Sequence, residues 1–210
     1  MKPFNTLFSV LLLIPVIIFS VPEAEQRQKF EGTIQYEIPE LESKIGTKVL
    51  NYMLKDHMIR IEYESKRGRS TTILFETLNN TMFLSIGMLG GFVEVPPDDV
   101  QKNFFETEYV FDQTGESKIV SGQECKIWNT TVENQFYSYC LAEGLGNFIL
   151  PINSVTAESV PVWAAVNLPD NHLLLEVTRI NQNESAEQVM QAVQIERKNL
   201  SRRLFSVFDN

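Results

Sequence analysis

The chain has 210 residues, 43% hydrophobic and 21% charged, a composition that excludes disordered, collagen-like and disulfide-scaffold classes. Its 18 basic and 27 acidic residues leave a net charge of −9, which argues against nucleic acid or an anionic membrane surface as the natural partner. Only two histidines occur, His57 and His172, so histidine-rich metal chemistry is excluded, and the length suits one domain.

Residues 1–24 read as a secretory signal peptide. Lys2 supplies the positive start, and Leu7 to Val21 is an apolar run broken only by Ser9, Pro15 and Ser20. The run is shorter than the roughly 20 residues that span a bilayer, and no Lys/Arg cluster follows it. Cleavage is expected after Ala24, with Ser20 as the alternative; no cysteine follows that could carry a lipid anchor. Losing Lys2 and Glu23 leaves the charge unchanged. Residues 25–210 are then a single exported domain, periplasmic or extracellular, with no membrane span once the signal is removed.

From Phe30 onward the period is two. Phe30, Gly32, Ile34, Tyr36 and Ile38 alternate with Glu31, Thr33, Gln35 and Glu37, as a half-buried strand requires. A two-residue turn at Asp56-His57 pairs Leu54 with Ile59, Tyr52 with Ile61, and Leu50 with Tyr63. A three-residue loop, Lys66-Arg67-Gly68, pairs Tyr63 with Thr71, Ile61 with Ile73, and Ile59 with Phe75. An Asn79-Asn80 turn pairs Phe75 with Leu84 and Ile73 with Ile86. Three independent turns keep one apolar face continuous, which specifies an antiparallel meander.

Residues 87–106 break the rhythm. Met88, Leu89, Phe92, Phe104 and Phe105 with the glycines around them suggest a covering segment, and Asp98 suits the cap of a short helix. The plainer alternative is a loop with a few buried side chains. Strands are expected at Glu108–Asp112 and Lys118–Val120 around a Gln113-Thr114-Gly115 turn. Further strands are expected at Gly122–Thr131 and Gln135–Leu141, then at Pro161–Val166 and Leu173–Ile180 around a Leu168-to-Asn171 turn. The tail is ambiguous: Ser185-Ala186-Glu187-Gln188 fits a helix capping box, while Val189, Gln191, Val193 and Ile195 alternate like a strand.

Cys125 and Cys140 carry the most specific chemistry. An even loop at Val132-Glu133, or from Thr131 to Asn134, sets Cys125 opposite Cys140 and Trp128 opposite Tyr137. Opposed Cβ atoms lie within about 5.5 Å, near enough for a disulfide, and an oxidising compartment favours it. The pair lacks a Cys-x-x-Cys spacing and a neighbouring histidine, so the bridge reads as structural. No phosphate loop, nucleophile elbow or His-Glu-x-x-His occurs. Both histidines fall at predicted turns, where solvation is the ordinary role, and Asp98-Asp99 reads as a solvated turn or cap before a Ca²⁺ site. No catalytic residue, metal or cofactor is expected. Four sequons, at Asn79, Asn129, Asn183 and Asn199, matter only where exported chains are glycosylated.

Several short motifs resemble a family of exported bacterial domains of unknown function, of the DUF4412 pattern. They are Phe30-Glu31-Gly32-Thr33-Ile34-Gln35-Tyr36, Met58-Ile59-Arg60-Ile61-Glu62, Gly122-Gln123-Glu124-Cys125-Lys126-Ile127-Trp128 and Leu200-Ser201-Arg202-Arg203-Leu204-Phe205. The last precedes a Pro-Gly-aromatic ending in that family; here Val207-Phe208-Asp209-Asn210 stands instead. The family is similar in fold to periplasmic lipoprotein carriers of the LolA type. The resemblance implies a mainly β fold, an incomplete antiparallel barrel with a helical or loop cover, an apolar concave face, and a strand at 188–196.

The expected function is a non-enzymatic exported domain binding a lipid or other apolar ligand. The expected lining is Tyr52, Ile61, Ile73 and Leu84 on the meander face, with Met88, Phe92 and Phe104 from the cover. The alternative is an interaction module with a filled core that binds an envelope protein.

Overall fold

The computed structural model describes residues 30–64, 68–87, 91–95, 109–150, 160–183 and 185–207. The expected signal peptide, the Asp98 cap, and Met88, Leu89, Phe104 and Phe105 lie outside the described residues.

Among the described residues, eleven strands form one antiparallel sheet that does not close into a barrel. They are β1 (Gly32–Glu37), β2 (Val49–Lys55), β3 (Met58–Glu64), β4 (Ser70–Glu76), β5 (Thr81–Ile86), β6 (Val93–Val95), β7 (Asp112–Val120), β8 (Gln123–Val132), β9 (Gln135–Glu143), β10 (His172–Ile180) and β11 (Ala186–Arg197). The spatial order is β6-β5-β4-β3-β2-β1-β11-β10-β9-β8-β7. The chain therefore starts near the middle of the sheet, walks to one edge, crosses to the other and walks back. Its two edges, β6 and β7, are sequence neighbours. One short helix, α1 (Pro39–Lys44), follows β1, with Pro39 in its first turn and Leu41 as its buried side chain.

The first-half meander follows the side-chain period. Leu54 faces Ile59 and Tyr52 faces Ile61; Tyr63, Ile61 and Ile59 face Thr71, Ile73 and Phe75. The third register differs from expectation. Ile73 faces Leu84, Phe75 faces Met82, and Thr71 faces Ile86. A two-residue type I′ turn needs positive φ at both central residues, and here only Asn80 has it, at 53°. The connection is instead the four-residue loop 77–80, tied down where the Thr77 N–H donates to the His57 carbonyl at 2.9 Å. A slip of two leaves every side chain on its expected face. Ile34, Tyr52, Ile61, Ile73 and Leu84 consequently form one buried row across five strands.

The second half brings three corrections. Residues 113–115 are not a turn between two strands but a bulge inside β7, where Gln113 faces Trp128 and Ser117 faces Lys126. Gly115 takes a φ of 82°, while Thr114 Oγ1 donates to the Ile127 carbonyl and accepts the Glu116 N–H. Residues 161–166 are not a strand. Pro161 cannot donate to a ladder, and a 3-10 turn at Val162–Ala164 leaves Val162 exposed and leads into four successive buried residues, Trp163 to Val166. The β8–β9 turn lies at Glu133-Asn134, both at positive φ, so Ile127 faces Cys140 and Trp128 faces Tyr139. Cys125 and Cys140 are thus diagonal neighbours. Strand twist still brings their Cα atoms to 5.3 Å, and the expected disulfide forms. The tail is strand throughout β11, pairing β10 on one side and β1 on the other.

Gly32 sits where the two halves meet. A Cβ there would lie 2.0 Å from the Glu196 carbonyl oxygen of the paired strand. Gly32→Ala is expected to destabilise the fold by about 3 kcal/mol, read as a lower urea midpoint. Replacing both cysteines with serine opens a loop whose ends are 15 residues apart. The expected loss is about 3 kcal/mol in the loop-entropy account, and the same shift should appear when the native chain is reduced.

Candidate functional site

On the inner face lie the described parts of the connection between β9 and β10, residues 144–150 and 160–166, called the strap below. Phe148, in its first stretch, stacks on Tyr52 with ring centroids 5.5 Å apart and meets Tyr36 edge-on at 5.4 Å. The Tyr52 hydroxyl donates to the Ile149 carbonyl at 3.1 Å and accepts the Ile149 N–H at 3.0 Å, replacing the ladder partners that this stretch lacks. Further along, Trp163 is 1% exposed, and Tyr139 donates to its carbonyl at 2.9 Å. The Tyr36 hydroxyl reaches the Leu174 carbonyl at 2.8 Å. Among the indole nitrogens, those of Trp128 and Trp163 are buried without a hydrogen-bond partner.

Two cavities flank this strap at one end of the sheet. The larger, about 460 Å³, has walls of Phe30, Leu54, Met58, Ile59 and Leu145 and a polar rim that includes Asp56, His57, Thr77, Asn147 and Asn171. The smaller, about 320 Å³, lies between residues 147–150 and 164–170. Asn147 belongs to both, and its Oδ1 accepts the Asn171 N–H at 2.6 Å. The strap is anchored at this end by the Gly144 N–H on the Asn171 carbonyl and the Phe148 N–H on the His172 carbonyl. Gly144 and Gly146, at φ of 82° and 97°, let it turn away from β9.

The predicted lining residues distribute differently. Tyr52, Ile61, Ile73 and Leu84 share the inner core, and none of them borders either cavity. Phe92 packs on the opposite face, in a second cluster around Leu74, Leu200 and Phe205 with Met53, Met58, Phe83, Leu204 and Val207. Met88 and Phe104 belong to the undescribed stretch. The strap itself, with Phe148 and Trp163, was not read as the cover from sequence. Its signal was present in the Gly-x-Gly at 144–146 and the apolar Phe148-Ile149-Leu150 run. His57 stands in the β2–β3 turn as expected, whereas His172 is not in a turn but is the first residue of β10, opposite Glu143 and edge-on to Trp128. Among the described residues, no group of three or more His, Cys, Asp and Glu is placed to hold a metal ion.

The profile of the domain family of unknown function DUF4412 matches residues 30–209. The chain belongs to this family. No curated protein matches it. Among solved structures, the DUF4412 chain is similar to PNGF-II, at 16% identity and a TM-score of 0.37, over 84% of this chain and 29% of that one. It is also similar to a chain of the Pseudomonas aeruginosa MucA/MucB complex, at 11% identity and a TM-score of 0.30, over 85% of this chain and 56% of that one. The DUF4412 chain thus spans less than two thirds of either. Among its described residues, no helix is long and apolar enough to cross a membrane.

Burial raises the hydroxyl pKa of Tyr36, Tyr52 and Tyr139 above the ordinary tyrosine value. Tyrosine is charged only when deprotonated, so the stability these groups contribute is complete below pH ~10 and is lost as pH rises toward their folded values. The urea midpoint should hold from pH 7 to about 9 and fall steeply by about 11. Tyr139→Phe should flatten that fall.

Proposed function

We propose that this DUF4412 chain is an exported, non-catalytic domain that binds an apolar or amphipathic molecule at the strap end of its half-barrel. The observation that carries the reading is the cavity of about 460 Å³, with apolar walls on one side and hydrogen-bonding side chains at its rim. Binding sites for small ligands run about 300–1,000 Å³ and combine apolar walls with a few polar groups. A lipid or other apolar chain would lie against Phe30, Leu54, Ile59 and Leu145, with its polar end toward Asp56, His57 and Asn171. The disulfide supports export, since such bridges persist in oxidising compartments.

A second reading has its own support. The inner face carries Phe148 and Trp163 of the same chain, and β7 presents an exposed edge with Ile119 73% exposed. An interaction module that takes an envelope protein along this edge would use the same fold with its interior filled.

Native mass spectrometry of protein purified from its exported compartment, before and after organic extraction, separates the two. The ligand reading expects a stoichiometric adduct that leaves on extraction. It also expects Asn147→Trp, on the wall shared by both cavities, to weaken binding of the fluorescent probe N-phenyl-1-naphthylamine by about tenfold. A bare mass together with no probe binding by the native chain would overturn it in favour of the interaction module.

A further inference from the structure

The outer face carries a patch that the ligand site does not use. Leu200 and Phe205 are pinned on Leu74, and around them Met53, Met58, Phe83, Phe92, Leu204 and Val207 are half-buried and open to solvent on one side. The segment that builds the patch is strongly basic. Arg197, Lys198, Arg202 and Arg203 lie within seven residues that hold no acid, in a chain whose net charge is −9.

The local fold keeps part of this charge outward. Ser201 caps a 3-10 turn at Arg202–Phe205, its hydroxyl accepting the Arg203 N–H at 3.3 Å. The Leu204 carbonyl is held by Arg60, which also pairs with Glu62, and the Leu200 N–H donates to Glu31 at 2.6 Å. Arg202 and Arg203 are both exposed and close no ion pair among the described residues; Lys55 and the Leu200 N–H hold the Glu31 carboxyl below the usual range, and Arg202 lies near enough to add to them. Arg197 stands over the Phe30 ring at 5.2 Å, and Phe30 is a wall of the larger cavity. Met58 belongs both to that cavity and to the patch. The basic, apolar surface is therefore continuous with the mouth of the binding site.

We infer that this outer patch docks the domain on an anionic lipid surface, with Arg202 and Arg203 meeting the headgroups and Phe92, Leu204 and Val207 reaching the acyl boundary. Arginines beside half-exposed apolar side chains are the pattern of an interfacial contact. The negative charge of the whole chain does not forbid it. Lys198 and Arg60 are matched locally by Glu196 and Glu62, so Arg202 and Arg203 carry the charge that meets the headgroups, and at physiological ionic strength acids beyond a Debye length of about 8 Å are screened from that contact. The inference rests on the ligand-binding reading for its purpose, which is exchange of an apolar ligand with the lipid surface at the cavity mouth.

Vesicle flotation tests it, using the chain from its exported fraction with phosphatidylcholine vesicles either neutral or containing about a third phosphatidylglycerol. Flotation is expected with anionic vesicles only, and lost in high salt. Arg202→Glu with Arg203→Glu should lower the partition by about tenfold or more, and Phe92→Ser should weaken it without changing the salt dependence. Lys48→Glu with Lys126→Glu, the same change of charge elsewhere, should leave flotation intact. Equal flotation on both vesicle types, no flotation, or equal loss from the two double variants overturns the inference. Binding to polyglutamate without binding to anionic vesicles also overturns it, assigning the patch to an acidic polypeptide. Flotation as expected, with a bare mass after gentle purification and no probe binding, would leave the docking surface standing and remove the ligand reading instead.

Discussion

The pairing of β1 with β11 is the constraint on which the rest of this architecture depends. Each half of the sheet is a local meander whose neighbours in space are neighbours in sequence, and each could in principle form without the other. Among the described strand pairings, β1 with β11 alone joins them, from Gly32 opposite Arg197 to Glu37 opposite Gln191. Gly32 allows the backbones to approach where any side chain would strike the Glu196 carbonyl. A bulge after Gln35 then turns the pairing so that Tyr36 faces Ala192. Tyr36 has room to send its hydroxyl to Leu174 in the other half. The seam is also the pairing of longest sequence separation, and loop-closure entropy must be met before it stabilises anything.

Placing the termini of the two meanders at the centre leaves β6 and β7 as edges. β6 is three residues long, too short to offer much of a ladder to a further strand, whereas β7 is nine residues long and is interrupted by its bulge. Lys118 also reaches across to Glu176, a buried carboxylate that accepts the Thr178 hydroxyl as well. The disulfide joins β8 to β9, so the half of the sheet built from β7 to β10 is held by covalent and ionic links as well as by its ladders.

The sequence made the strands legible wherever period and turn chemistry agreed. Alternation around Ile34, Tyr52, Ile61 and Ile73 located the inner face, and Asp56-His57 fixed a register without ambiguity. The three register errors have one physical origin: asparagine and glycine mark where the chain can take positive φ, but not whether it does so at one residue or two. Asn80 alone adopts it in one loop, Glu133 joins Asn134 in another, and Gly115 spends it on a bulge. The family motifs tipped 188–196 toward strand, where local pattern left a helix open. The helix at Pro39–Lys44 had its proline at the start, acids in the first turn and a lysine in the last. It was overshadowed by the strand before it.

The site was less legible because what covers an apolar face depends on non-local packing. Any of the apolar stretches after β5 could serve, and composition pointed to residues 87–106. Most of residues 87–106 lies outside the described residues; on the inner face, Tyr52 offers both a donor and an acceptor to the backbone of Ile149, which has left the ladder. Phe148 then fits between two tyrosines. That placement explains why the cavities lie beside the strap and not along the Tyr52–Leu84 row. It also explains why Phe92, freed from the inner face, is available to the outer cluster. Phe92, Leu204 and Val207 lie half-exposed in one cluster beside Arg202 and Arg203, and a contiguous apolar patch of that kind marks a contact surface. The two faces thus divide, the inner one carrying Phe148 and Trp163 of the β9–β10 connection and the outer one leaving Phe92, Leu204 and Val207 half-exposed.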